Sequence, residues 1–162
     1  WEGGHRVPFI VRWRGKVKAG TTSDQTLCLT DILATVAAIT GTGLPHDAAE
    51  DSFNLLLVLE GIATAPIRPY LLTQAFAGQH TLSIRRGRWK YIAHSGSGGN
   101  NYDKGELKPF DLPEADPEAP AQLYDLATDP GETTNLYSKK PVIVKQLQAL
   151  LEQSKATGRS RP

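Results

Sequence analysis

The chain has 162 residues and a mass of 17.6 kDa, which is enough for one domain or one and a half. Apolar residues make up 40% and charged residues 22% of it, as in ordinary globular proteins. Eighteen basic and seventeen acidic residues give a net charge of +1, which excludes an electrostatic argument for binding nucleic acid or an anionic membrane.

No apolar run reaches the length of a transmembrane helix, and no signal-peptide pattern opens the chain. Since the sequence starts at Trp1 and contains no Met, we expect a C-terminal piece of a longer polypeptide. Cys28 is the single cysteine, so no intramolecular disulfide is expected. Its apolar neighbours favour a small buried side chain.

The first predicted element is a strand from Val7 to Trp13. This run is apolar except for Arg12 and rich in β-branched and aromatic residues, which favours a strand buried on both faces of a sheet. Gly3 and Gly4 give the preceding backbone freedom to bend. If no neighbouring strands were supplied, the exposed faces and edges of this strand would promote self-association.

Two helices are predicted next. Thr30 is a candidate N-cap, Asp31 suits the first turn, and apolar residues at helical spacing run to a stop at Gly41. This largely apolar helix is expected to pack on the sheet that holds the first strand. Residues 55–61 form a short helix ending at Gly61, although a strand fits so short an apolar run as well. The prolines of residues 63–69 mark a boundary between an α/β part, 1–62, and a C-terminal part, 63–162.

The C-terminal part has the pattern of an antiparallel sheet followed by a helix. Its strands are predicted at 70–75, 81–85, 88–94 and 122–126, with a hairpin turn at Arg86-Gly87. Alternation within the hairpin predicts one covered and one wetter face, with Lys90 on the wetter one. Residues 95–120 form either a functional loop or a mobile insertion. Pro141 begins a terminal helix with an apolar stripe, and Gly158 ends it.

Few residues suggest chemistry by themselves. The histidines His5, His46, His80 and His94 are far apart in sequence and lack metal-ligand spacing. No nucleophile elbow or phosphate-binding loop is present. The basic stretch 85–90 is either a solvated hairpin tip or a site for an anion or sugar acid. Carboxylates between 111 and 118 form either a weak calcium loop or a solubilising one.

Four segments, in order and spacing, carry a resemblance to a known family. They are Trp1–Ile10 (WEGGHRVPFI), Thr30–Thr35 (TDILAT), Arg85–Ile92 (RRGRWKYI) and Leu123–Leu136 (LYDL…DPGETTNL). Together they resemble formylglycine-dependent sulfatases of the arylsulfatase-like type, in the alkaline-phosphatase superfamily. Two local departures are Arg14 and Leu57, where the family commonly has proline.

The resemblance implies a fold class and an activity. The fold is α/β, becoming α+β towards the C-terminus: the terminal strand and helix of an alkaline-phosphatase-like core, then a small antiparallel sheet packed with a C-terminal helix. The activity is hydrolysis of sulfate esters. In such enzymes a formylglycine made from Cys or Ser supplies the nucleophile, and a calcium ion helps to bind the sulfate. The family's habit is periplasmic or secreted.

The resemblance also implies that this chain lacks the catalytic centre. Cys28 is followed by neither the proline nor the arginine of the formylglycine motif, so no catalytic residue and no metal ligand is assigned. The family's metal-binding aspartates and sulfate-binding lysine precede the first of the four segments. The expected partner is therefore the N-terminal catalytic part of the same polypeptide, and the chain alone is expected to be inactive.

The resemblance leaves only pocket-wall positions for this chain. His5 is expected near the substrate, and His80 and His94 on the rim of the pocket. Two alternatives remain: a stand-alone, non-catalytic binding or scaffold module derived from a sulfatase C-terminus, and a phosphodiesterase or phosphonate hydrolase of the same superfamily.

Overall fold

The computed structural model describes residues 1–75, 81–96, 105–110 and 116–161. Its helices are α1 (Asp31–Thr40), α2 (Leu56–Leu59) and α3 (Pro141–Thr157), and its strands are β1 (Leu71–Gln74), β2 (Leu82–Arg86), β3 (Trp89–Ile92) and β4 (Gln122–Asp125). Short 3-10 helices lie at Glu2–Gly4 and Gly105–Phe110. The chain forms two compact units: Trp1–Arg6 with Leu72–Gln153, and Val7–Leu71 with Ser154–Pro162. The predicted boundary near residue 63 stays a prediction.

The first unit contains a four-stranded antiparallel sheet in the order β1-β2-β3-β4. Gly87 has a φ of 58°, in the left-handed region that a tight hairpin turn requires, and Arg86 pairs with Trp89 across it. On α3, the predicted stripe is confirmed, since Val144, Leu147 and Leu151 are buried. Buried side chains of the sheet complete this core: Ile84, Tyr91, Ile92 and Leu123.

The hairpin does not have the predicted wet face. Lys90, expected to point to solvent, is only 1% exposed. All four residues of β4, which pairs with β3, are buried as well. The alternation of apolar and polar residues predicted one covered face. It could not show that loops distant in sequence pack over the other face as well.

The second unit is built around the buried carboxylate of Asp31 at the start of α1. Its Oδ2 accepts a hydrogen bond from the Cys28 amide at 2.7 Å, and its Oδ1 accepts one from the Phe53 amide at 2.9 Å. Arg68, also buried, forms an ion pair with the same Oδ1. Thr30 is not a side-chain cap, because its own backbone is helical and its hydroxyl bonds the Asp51 carbonyl instead.

Helix α1 ends at Gly41, whose φ is 68°, as predicted. Its buried positions are small or polar, whereas its large apolar side chains point outward. These outward residues, between 43% and 54% exposed, are Ile32, Leu33, Val36 and Ile39. The predicted packing of this apolar side on a sheet is therefore absent from the described residues. Helix α2, which is closely followed by Gly61 with a φ of 73°, matches the predicted short helix.

The predicted strand from Val7 to Trp13 was wrong for this structure. These residues adopt no strand, and the side chains of Val7 and Ile10 are 64% and 90% exposed. A strand is defined by hydrogen bonds to a neighbour, and the sheet of the described residues is formed by β1–β4 alone. Among the described helices, none is long and apolar enough to cross a membrane.

Candidate functional site

The first unit contains a buried charged cluster centred on the ammonium of Lys90. Its Nζ lies 3.0 Å from Glu2 Oε1, 2.8 Å from Glu132 Oε1 and 3.2 Å from His5 Nε2. The contacts to Glu2 and His5 have hydrogen-bond geometry, whereas that to Glu132 is an ion pair whose oxygen lies off the hydrogen-bonding direction. A charge this deeply buried is tolerated only when it is paired.

Glu2 is placed by the turn at the start of the chain. The 3-10 helix Glu2–Gly4 brings the Arg6 amide within 2.8 Å of the Glu2 carbonyl, so this segment folds back on itself. Burial alone would raise the pKa of Glu2, but the charge and hydrogen bond of Lys90, assisted by Arg85, outweigh it and lower the pKa. Arg85 Nη1 lies 3.4 Å from Glu2 Oε2. Glu2 is therefore held as a carboxylate.

Glu132 reaches the cluster from the Asp-Pro-Gly-Glu turn. Its backbone is left-handed, with a φ of 54°, and its Oε2 accepts a hydrogen bond from the Glu2 amide. Asp129 stabilises the turn by accepting bonds from the amides of Thr133 at 3.0 Å and Thr134 at 2.8 Å. The turn thus delivers one carboxylate that binds both Lys90 and the backbone of the first loop.

Two buried amide side chains position the segments around the cluster. Asn135 Oδ1 accepts from the Leu123 amide at 3.0 Å, and its Nδ2 donates to the Ala121 carbonyl at 3.2 Å, which fastens the turn to β4. Gln122 Oε1 accepts from the Trp1 indole at 2.9 Å, while its Nε2 donates to the His94 carbonyl at 2.8 Å. Gln122 therefore links the first loop to the residues that follow β3.

His5 is the exposed member of the cluster. Its side chain is 31% exposed, and its Nε2 lies 3.6 Å from Glu2 Oε1 as well as 3.2 Å from Lys90. Burial and the charge of Lys90 lower the pKa of His5, and the opposing effect of Glu2 is weaker. The arrangement presents a neutral imidazole at the surface, backed by a buried lysine and two carboxylates.

The other predicted site residues do not join this cluster in the described residues. His94 is half-buried, and its Nδ1 donates to the Ser95 carbonyl at 2.6 Å. His80 lies outside the described residues, as do Asp111 and Glu114 of the proposed acidic loop. Asp116 accepts a hydrogen bond from the Ser138 hydroxyl at 2.6 Å.

Sequence reasoning singled out His5 and missed the residues that hold it. Glu2, Lys90 and Glu132 each belong to a different one of the quoted segments, and the structure brings these three segments together. The sequence did contain one indication, a lysine within a predicted strand and two glutamates in turn motifs that could have neutralised it. Nothing in one-dimensional spacing indicates that they meet.

Comparison with known proteins gives the family. No family model matches the chain. An N-acetylgalactosamine-6-O-sulfatase of Bacteroides thetaiotaomicron is 37% identical over 155 residues, which cover 96% of this chain and 28% of that protein. An arylsulfatase of Hemicentrotus pulcherrimus is 32% identical over 151 residues, covering 82% of this chain and 26% of that protein.

A solved structure agrees with both relatives. It is a sulfatase structure described in connection with the metabolism of multiple glycosaminoglycans by Bacteroides thetaiotaomicron. It superposes on this chain with a TM-score of 0.75 and 35% sequence identity, and the match covers 96% of this chain and 30% of that one. The chain corresponds to the C-terminal part of a sulfatase. This sulfatase segment spans less than a third of the length of the relatives it matches. The expected resemblance is confirmed, and so is the fold class in its small antiparallel sheet with a C-terminal helix and its likeness to sulfatase structures.

Formylglycine and calcium, which the sulfatase family implies for the intact enzymes, do not fit the described residues. Within 1–75, 81–96, 105–110 and 116–161, no three His, Cys, Asp or Glu side chains are grouped to hold a metal. Cys28 is half-buried beside a helix start and lacks the proline and arginine of the formylglycine motif. The chemistry of both groups is therefore assigned to no residue described here.

Proposed function

We propose that this chain forms the C-terminal part of an enzyme that hydrolyses sulfate esters, with the nucleophile and calcium ligands supplied by a preceding part of the same polypeptide. The observation that carries the proposal is the 37% identity to the N-acetylgalactosamine-6-O-sulfatase across nearly the whole chain. The convergence of three matched segments on one buried cluster supports it, because those segments have a shared structural role.

His5 is the residue through which this segment is proposed to contact the substrate. It is exposed, neutral and anchored to a buried ammonium, so it suits hydrogen bonding to a sulfate or sugar oxygen without adding a mobile charge. His94 and His80 are proposed as rim residues. Gln122 supports His94, because it connects the His94 carbonyl to the first loop.

The proposed partner of the second unit is the preceding catalytic part. Helix α1 leaves four large apolar side chains about half exposed, and Val7 and Ile10 of the same unit are exposed as well. Apolar side chains arranged along one helix face are usually covered by another element. Residues 7–13 form no strand, so they offer no strand edge for pairing with a second copy. Self-association of the chain alone would therefore involve this apolar surface.

The test is hydrolysis of sulfate esters by the full polypeptide that carries this chain. N-acetylgalactosamine 6-sulfate and a chromogenic aryl sulfate are the first two substrates, each with calcium and then with a chelator. We expect turnover by the full polypeptide and none by the 162-residue chain. Chelator-sensitive turnover by the chain alone would overturn the division of roles, and a full polypeptide inactive on sulfate esters but active on phosphodiesters would overturn the reaction.

The role of His5 is tested in the same assay with His5→Gln. Loss of one hydrogen bond to a charged substrate group reduces kcat/KM by about 10-fold or more. His46→Gln is the matched control, because His46 is an exposed histidine of the other unit that contacts Arg159. Equal activity of the His5→Gln variant and the wild type would remove His5 from the substrate site.

A further inference from the structure

The contact between Lys90 and His5 fixes where the imidazole carries its proton. An ammonium group has three N–H donors and no lone pair, so it cannot accept a hydrogen bond. Lys90 Nζ lies 3.2 Å from His5 Nε2 in hydrogen-bond geometry. Nε2 must therefore be the acceptor and unprotonated, which places the proton of the neutral ring on Nδ1.

The lysine is held too firmly to follow the imidazole. It lies on β3, paired with Arg85 on one side and Tyr124 on the other, and its side chain is 2% exposed. Glu2 and Glu132 hold its ammonium from two different turns at 3.0 and 2.8 Å. His5, in contrast, lies in a loop. A rigid donor beneath a loop residue sets the orientation of that residue.

We propose that Lys90 is a positioning residue, which holds His5 in the tautomer that bears its proton on Nδ1, leaving that N–H as the donor for an oxygen of a bound sulfate ester. The last part rests on the proposed function. Lys90 itself does not touch substrate, because its ammonium is enclosed by Glu2, Glu132 and His5.

The charges that face His5 agree with a neutral ring. Lys90 disfavours a second proton, and so does the amino group of Trp1 when the chain is taken alone, while Glu2 and Glu132 favour it. Burial of the ring is the largest effect that lowers the pKa of His5, and the cations add to it. Arg85 adds a further positive charge on the far side of Glu2. The single-proton state therefore extends through neutral pH.

The first measurement is nitrogen NMR of the 162-residue chain labelled in its histidine rings, with the His5 signals assigned by their loss in His5→Gln. At neutral pH we expect a protonated Nδ1 and an unprotonated Nε2, and a titration midpoint below that of an ordinary histidine. A proton on Nε2, or on both nitrogens, would overturn the proposal. This outcome needs no variant of Lys90 and depends on no substrate.

Lys90→Met provides the second measurement. Without the ammonium, Arg85 is the remaining cation named beside Glu2 and Glu132, so the titration midpoint of His5 should rise above that of the wild type and the single tautomer should be lost. Lys145→Met, at an exposed position of α3, is the matched control and should change neither signal. An unchanged His5 spectrum in a folded Lys90→Met chain would overturn the proposal.

Activity of the full polypeptide separates this inference from the proposed function. If His5→Gln leaves sulfate-ester hydrolysis unchanged while the wild-type tautomer is as expected, the substrate role of His5 is wrong and the positioning by Lys90 stands. If both are right, Lys90→Met should reduce kcat/KM by about 10-fold and move its pH profile, and adding His5→Gln should reduce it little further.

Discussion

Replacing Asp31 by Ala should destabilise the second unit more than any surface change. The carboxylate is fully buried and serves three donors: the amides of Cys28 and Phe53 and the guanidinium of Arg68. Removing it leaves Arg68, itself 6% exposed, with an uncompensated charge. Breaking a buried ion pair from one side costs about 3–5 kcal/mol, which is a large part of a typical folding free energy.

Urea unfolding followed by circular dichroism measures this cost. With a slope of about 2 kcal/mol per molar urea, the midpoint should fall by roughly 2 M. Amide hydrogen exchange at Cys28 and Phe53 should accelerate in the same variant, because both amides lose their acceptor. Asp51→Ala is the control, since that carboxylate belongs to an exposed residue and accepts from Ser160.

The double variant decides whether the pair itself is responsible. Asp31→Ala with Arg68→Met removes both charges, so it should be less destabilised than the sum of the two single variants. A loss below about 1 kcal/mol for Asp31→Ala, or strict additivity in the cycle, would refute the reasoning that Asp31 organises this unit by charge.

Three further changes have definite directions. Asn135→Ala leaves the buried Leu123 amide without its acceptor and should cost about 1–3 kcal/mol in urea unfolding. Burial would raise the pKa of Asp129, but its bonds to two threonine amides outweigh that effect and lower the pKa. Asp129 therefore contributes stability at pH values above its pKa in the unfolded chain. This contribution is lost as the pH falls through the lowered pKa of the folded chain. Asp129→Asn should therefore make the loss of stability at acid pH less steep. The hydrogen bond from Arg88 lowers the pKa of Asp125, so Arg88→Met should raise it in a carboxyl NMR titration.

Control variants or contrary outcomes test these three changes. Thr134→Ala alters an exposed side chain next to Asn135 and should leave the urea midpoint unchanged. An unaltered acid limb in Asp129→Asn would show that the turn does not depend on the charge. Arg86→Met changes an exposed arginine on the same hairpin and should leave the titration of Asp125 as it is. Equal Asp125 titrations with and without Arg88 would contradict the ion pair.

The elements that depend on local signals were predictable from the sequence. The hairpin turn at Gly87 and the stop at Gly41 follow from glycine's access to left-handed backbone. Helix α3 follows from Pro141 at its start and from an apolar stripe at helical spacing. Each of these features is specified by residues within a few positions of one another.

The elements that depend on distant partners were not predictable. The run from Val7 to Trp13 has strand composition, but a strand also requires a neighbour to bond with. Lys90 looked like a solvent-facing residue because its two carboxylates are 88 and 42 positions away in the sequence. His5 was identified by resemblance, whereas the groups that set its protonation became visible only when the first loop was folded against β3.

The left-handed backbone of Glu132 has a consequence for protein engineering. Among the described non-glycine residues, only Glu132 and Ala49 have a positive φ, which costs a side-chain-bearing residue roughly 1 kcal/mol. A stabilisation protocol guided by backbone preference would replace Glu132 by Gly and gain that amount. The same replacement would remove a counter-charge of Lys90 and the acceptor of the Glu2 amide. Glycine would thus relieve the backbone strain of the turn but remove the contacts that hold the first loop. Asn, which tolerates this backbone, would keep a hydrogen-bond acceptor but not the negative charge.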